Sequence, residues 1–243
     1  KTVDGIGGFR GADSPVAKTD LMLKLSYEFS DTDYIEFKVG RTDLDADVGY
    51  IGLTEADFNA NPYRRYVGSS IDNMDSDQSR FYLRYKKDFT ESSSMTATGF
   101  YNEFNRNWYK LADVNPVLAG KDKLKVGKGI FGDEAYYNVL KGNADGTYTA
   151  KSNDRSYSTK GIQFNFDYEV GNNDVDLGFR YTDDNYIKNP WHQDEYTVTV
   201  VAGKSSVSKE VEAKSALDPY KDAHGSKQTF SIWLRISQCE RVS

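Results

Sequence analysis

The sequence predicts an all-β fold, an antiparallel up-and-down sheet of the kind that closes into a transmembrane β-barrel. Three observations predict it. Apolar and polar residues alternate with period two over many short stretches. The connections between those stretches are alternately short and long. Mean hydropathy is -0.70, and no stretch approaches the roughly 18 consecutive apolar residues of a membrane helix. Helical spans are thereby excluded, whereas barrel strands remain open because each needs only one apolar face.

Leu21, Leu23, Leu25, Tyr27 and Phe29 occupy one face of a first strand, with Asp20, Lys24, Ser26 and Glu28 on the other and Met22 as an exception. Ile35, Phe37 and Val39 oppose Glu36 and Lys38, and Phe81, Leu83 and Tyr85 oppose Arg80, Arg84 and Lys86. Met95, Ala97, Gly99 and Tyr101 oppose Ser94, Thr96 and Thr98. Ile162, Phe164, Phe166 and Tyr168 oppose Gln163, Asn165, Asp167 and Glu169. Val175, Leu177, Phe179 and Tyr181 oppose Asp174, Asp176, Gly178 and Arg180, and Phe230, Ile232, Leu234 and Ile236 close a series of seven strands, with an eighth expected before Gly11. Polar, β-compatible sequence continues through Arg41–Tyr50 and Asn102–Lys110, so strands there should project beyond the membrane and support the loops.

Alternation alone fits a soluble β-sandwich equally well. Connection lengths separate the two. Ser30–Asp33, Thr90–Ser93 and Gly171–Asn173 are tight turns, whereas roughly 53–77, 111–156 and 188–226 are long loops. In an up-and-down sheet alternate connections share an end, so one end carries turns and the other carries loops, as in outer-membrane barrels. Loops beyond about 12–15 residues are uncommon in compact domains unless functional. Tyr27, Phe29, Tyr34, Tyr85, Phe89 and Tyr168 lie close to the short turns. They suit a headgroup girdle, although aromatics are also simply good strand formers. The expected location is the bacterial outer membrane.

With 31 Lys+Arg against 37 Asp+Glu and a net charge of -6, the chain has no overall basic field to hold nucleic acid. The single Cys239 allows neither a disulfide framework nor a multi-cysteine metal site. His192 and His224 stand isolated in long loops, and neither a Gly-rich phosphate loop nor a nucleophile elbow occurs. No catalytic residue, metal centre or resident cofactor is expected. The acidic runs Asp43–Asp47 and Asp72–Asp77 offer hard oxygen ligands but lack the EF-hand pattern, and read as solvated loop faces.

Tyr63, Arg64, Arg65 and Tyr66 place two guanidinium groups between aromatic rings in the first long loop. That combination suits bidentate capture of an anion, and equally suits bridging of acidic neighbours. If alternation continues past Asn102, Arg106 and Trp108 share the lumen side with Ser94, Thr96 and Thr98. Arg106 then either lines a substrate path or neutralises a lumenal carboxylate.

The runs Tyr50–Tyr66 (YIGLTEADFNANPYRRY) and Ser79–Leu111 resemble TonB-dependent outer-membrane receptors of the ferric-citrate or siderophore type, with weaker similarity from Gly8 to Tyr186. The resemblance implies a plugged barrel of about 22 strands, of which residues 1–237 supply seven or eight. It implies capture of a ferric chelate, iron being carried as substrate, in a membrane of lipid and lipopolysaccharide. It also implies energy from an inner-membrane TonB complex through a plug that is not represented in this sequence. Arg64, Arg65 and Arg106 are then expected to belong to a chelate-facing region. Residues 238–243 lack the terminal aromatic typical of completed barrels. A small porin or structural barrel, or a secreted β-sandwich binding domain, are the alternatives.

Overall fold

The computed structural model describes residues 3–4, 13–14, 16–117, 120–188, 193–214 and 224–238. Gly8–Gly11, His192 and Cys239 lie outside them. In chain order the strands are β1 (Val3–Asp4), β2 (Asp13–Ser14), β3 (Val16–Ser30), β4 (Asp33–Ala46), β5 (Asn73–Thr90), β6 (Ser93–Asn115), β7 (Leu124–Lys125) and β8 (Gly146–Lys151). They continue as β9 (Asp154–Val170), β10 (Asn173–Lys188), β11 (Gln193–Val201), β12 (Lys204–Lys214) and β13 (His224–Gln238). Two short helices, α1 (Glu55–Ala60) and α2 (Glu134–Lys141), and a 3-10 turn at Val67–Ile71 lie between strands.

Strands β3, β4, β5, β6, β9, β10 and β13 form an antiparallel meander in that order. These are the seven strands that the alternation marks. β1 and β2 form a separate pair, while the other eleven strands belong to one sheet. The two packed layers of a sandwich are therefore not formed among the described residues.

The three predicted tight turns close the meander at one end, linking strands that end at Ser30, Thr90 and Val170 to strands that start at Asp33, Ser93 and Asn173. Ser30 Oγ donates to Asp33 at 3.0 Å, and Thr90 Oγ1 and Ser93 Oγ lie 2.6 Å apart. Gly171 adopts φ 62°, the left-handed backbone that a glycine takes without steric cost.

The sheet is inside-out by the standard of a soluble protein. On central strands Phe81 and Leu83 are 39% and 40% exposed and Leu177 is 46% exposed, whereas Glu36 on the opposite face is only 7% exposed. A contiguous apolar face of this kind needs a cover, and hydrocarbon provides one. Strands of 14 to 23 residues in the meander exceed the roughly 9–11 needed to cross hydrocarbon.

The apolar face ends in exposed rings near the turns, namely Tyr27, Phe29, Phe89 and Tyr168. Tyr85, also on this face, donates its hydroxyl to Asp33. Tyr34 departs from the expected girdle. Its register partners are Glu28 and Lys86, so it stands on the polar, lumen-lining face. Directly paired residues share a face, and parity assigns Tyr34 with Glu36, not with Ile35.

At the loop end the strands run further than their apolar residues reveal. β5 starts at Asn73 and β6 runs to Asn115, although β4 stops at Ala46 and does not continue to Tyr50. The acidic runs consequently lie largely on strands. Asp43 pairs with Asp77 and Asp45 with Asp75. Arg41 bridges Asp43 and Asp77 at 2.8 and 3.1 Å, and the Asn73 amide donates to Asp45 and Asp47. Hydrogen bonds to these donors offset the repulsion between paired carboxylates.

β6 forks the sheet. Its first part lies between β5 and β9, and from Lys110 onward it pairs with β8, which continues through β11 to β12. A register shift between Leu111 and Asp113 lets the outer sheet turn away from the barrel wall. The long loops thereby build a small domain with its own core of Tyr66, Val67, Leu111, Val139, Leu140 and Tyr148. Helix α2 is capped by Asp133, which accepts from Ala135 N at 3.0 Å, and ends at Gly142 with φ 75°.

Candidate functional site

Apart from a shift at the turn end between Asp88 and Thr90, the registers of β4, β5, β6, β9 and β10 run unbroken through the barrel wall, so polar-face residues can be read in rows across it. On β6 this face carries Phe104, Arg106, Trp108 and Lys110 toward the loop end, since no shift falls between Ser94 and Leu111. Arg106 and Trp108 are thus on the lumen side, as their spacing predicts.

Arg106 is paired directly with Arg155 of β9. Both guanidinium groups interact with the Tyr157 phenol. Tyr157 stacks on Phe104 at 6.1 Å and meets Tyr186 at 5.1 Å, and the Arg155 guanidinium lies 5.9 Å over the Tyr186 ring. Arg155 Nε also donates to Asn153 at 2.8 Å. Among the described residues neither arginine forms an ion pair with a carboxylate. Like charges facing each other across a strand pair repel, and a neutral phenol does not cancel two positive charges.

Two residues further along β6, the Trp108 ring meets Tyr50 edge-on at 5.3 Å. Lys110 Nζ lies 3.6 Å from the Tyr50 ring centre and 4.5 Å from that of Trp108. The Trp108 indole nitrogen is shut off from solvent without a hydrogen-bond partner. Asp72 holds this corner together. Its carboxylate accepts from Tyr50 N at 2.7 Å and from Leu111 N at 2.6 Å. Burial pushes the Asp72 carboxyl up to about 6, against the opposing effects of those two backbone donors and of Arg65 and Lys110.

The first-loop residues occupy different positions. Arg64 Nη1 pairs with Asp57 at 3.0 Å, and Arg65 Nη2 donates to the Ser69 carbonyl at 2.5 Å. Tyr66 is buried, accepts from Thr54 N at 3.0 Å and donates to Asp57 at 2.7 Å. The Asp57 carboxyl is held below its usual range, first by the Tyr137 hydroxyl and then by Tyr66 and Arg64. These three side chains secure the loop's own fold. The Tyr63 ring, 65% exposed, is the one that faces solvent.

Sequence reasoning missed Arg155 and Tyr157. Arg155 follows a loop segment and precedes the apolar alternation that begins at Ile162, so only strand register reveals that it faces Arg106.

No protein-family profile and no curated protein matches this sequence. Solved structures do match. The ferric citrate transporter FecA in its unliganded form aligns with a TM-score of 0.55 at 19% identity, over 93% of this chain and 28% of that one. The ferric-catecholate import receptor Fiu from E. coli K12, in an open form, aligns with a TM-score of 0.54 at 11% identity, over 94% of this chain and 45% of that one. At these identities the likeness is one of fold, and the chain spans less than half the length of either.

Proposed function

We propose that this chain forms part of the wall and mouth of an outer-membrane receptor barrel that captures a negatively charged ferric chelate. The Arg106–Arg155 pair, lumen-facing and without a carboxylate counter-ion among the described residues, carries this reading. Planar guanidinium forks match carboxylate oxygens bidentately, and the aromatic wall of Phe104, Tyr157 and Tyr186 excludes water from one side. The fold shared with a ferric citrate transporter and a ferric-catecholate import receptor supports the ligand class. In this reading Tyr63, Arg106 and Trp108 contact the chelate, while Arg64, Arg65 and Tyr66 set the shape of the first loop. The apolar face meets outer-membrane lipid and lipopolysaccharide. Import is energised by an inner-membrane TonB complex acting through a plug region, in keeping with the resemblance of the Tyr50–Tyr66 and Ser79–Leu111 runs.

Titration of the full-length protein in detergent with ferric citrate and with a ferric catecholate tests the reading. An Arg106→Gln/Arg155→Gln variant should bind its chelate at least about tenfold more weakly, a loss of roughly 1.4 kcal/mol. Unchanged affinity for both chelates would remove the guanidinium pair from the ligand site.

A further inference from the structure

Deeper in the lumen a second group of cations lacks its share of carboxylates. One row of the polar face runs Lys24, Lys38, Tyr82, Phe100 and Gly161, and the next runs Glu36, Arg84, Thr98, Gln163 and Arg180. The edge of the Phe100 ring closes on the glycine, for a Cβ at position 161 would stand 2.7 Å from it. Arg180 sits 5.0 Å above that ring. A recess of about 270 Å³ opens beside it, lined by Lys38, Arg80, Tyr82, Arg84, Thr98 and Phe100.

The charges around this recess do not balance. Glu36 pairs with Lys24 at 2.7 Å and accepts from the Tyr82 hydroxyl, which leaves Arg84 Nη1 at 4.0 Å, the outer edge of an ion pair. Arg84 Nε is shut off from solvent with no hydrogen-bond partner. Lys38 stands directly opposite Lys24. Among the described residues it has no carboxylate within ion-pair distance, and its ammonium lies 6.0 Å from the Tyr82 ring centre. Arg80 takes Asp20 at 3.6 Å, and Arg180 has the Gln163 amide oxygen at 3.4 Å. A buried donor without a partner and opposed like charges are both costly, and a bound anion relieves both.

We propose that this recess is a second anion station, taking a small polycarboxylate on its way down the lumen. It lies six residues along β6 from Arg106, on the side of the tight turns, or roughly 20 Å at the usual strand rise. The inference rests on the reading of the mouth as an anion site for its direction of travel, although the recess binds by its own residues. Lys38 and Arg84 supply the charge, the Arg84 Nε–H finds its acceptor, and Phe100 with Tyr82 forms an apolar floor. An acidic segment of the same protein is the competing occupant, and it would keep free anions out.

Equilibrium dialysis of radiolabelled citrate against the full-length protein in detergent tests this, with heat-modifiable electrophoretic mobility as the check on folding. The wild type should bind two equivalents, Lys38→Gln/Arg84→Gln one, and Arg106→Gln/Arg155→Gln one, with Lys38→Arg retaining both. Equal stoichiometry in the wild type and Lys38→Gln/Arg84→Gln overturns the second station, as does a single wild-type equivalent lost only in the mouth variant. Loss of one equivalent in Lys38→Gln/Arg84→Gln but none in Arg106→Gln/Arg155→Gln keeps the recess and removes the mouth. Should the double variant lose its folded band, Lys38→Met alone makes the same comparison, with an expected rise of at least tenfold in the dissociation constant of the second site.

Discussion

Arg106 and Arg155 stand directly opposite each other on β6 and β9, and both interact with the phenol of Tyr157. Stability and binding should therefore move in opposite directions when one is removed. Arg155→Gln relieves a like-charge contact and is expected to raise unfolding stability by roughly 0.5 kcal/mol while weakening chelate binding. Urea unfolding from lipid vesicles, paired with ligand titration, checks both. A variant that loses stability and keeps affinity would show that the pair has a structural role only.

The assignment of the two sheet faces predicts an asymmetry between single arginines. Leu83→Arg, on the exposed apolar face of central strand β5, is expected to cost about 2–4 kcal/mol of bilayer stability. Ser94→Arg, on the lumen side beside Asp167 at 3.3 Å, should cost about 0.5 kcal/mol or less. Refolding yields into phosphatidylcholine vesicles distinguish them, and equal costs would contradict the assigned faces.

Asp72 gives the loop domain a pH dependence of definite sign. Its carboxyl is pushed up to about 6 from 3.8, so the unfolded state ionises before the folded one. Its contribution to stability is most favourable below about pH 4, falls by about 3 kcal/mol as pH rises to about 6, and is level above that. Hydrogen exchange of the Leu111 amide, which donates to Asp72, should show that decline in opening free energy. Asp72→Asn should flatten the profile and lower its overall level, because the amide group turns a donor toward one of the two backbone N–H groups.

Tyr66→Phe should loosen the loops and spare the barrel. It removes a hydroxyl that accepts from Thr54 N and donates to Asp57, at a cost of about 1–3 kcal/mol. Limited proteolysis should cut within residues 47–72 faster, while heat-modifiable mobility stays as in the wild type. A parallel loss of both would mean that loops and wall unfold as one unit.

Trp233 lies against Gly178, and a Cβ at position 178 would stand 2.0 Å from two atoms of the indole ring. Gly178→Ala is expected to cost about 1–3 kcal/mol by overpacking. Trp233→Ala should remove most of that penalty in a double-mutant cycle, and additive effects would place the indole elsewhere.

Much of the barrel was legible because a membrane strand must keep one face apolar along its length. Phe81, Leu83 and Tyr85 announce β5 without any tertiary information. The polar extensions carry no such signal. Asn73 to Asp77 reads as loop in sequence, yet pairs with Asn105 to Tyr109 in the structure. The candidate site was partly legible for the same reason, since parity alone assigns Arg106 and Trp108 to the lumen. The first-loop cluster was not, because a loop has no period from which to tell the buried Tyr66 from the exposed Tyr63.

What the sequence by itself determined is local: period-two alternation, tight turns at Ser30–Asp33, Thr90–Ser93 and Gly171–Asn173, and hence an up-and-down sheet with its loops at one end. Cross-strand register belongs to the tertiary structure, because pairing partners are set by hydrogen bonding between distant segments. Only that register brings Arg155 opposite Arg106 and Lys38 opposite Lys24. Only the fork of β6 turns three long connections into a folded domain, where burial, not spacing, settles which side chains are free to meet a ligand.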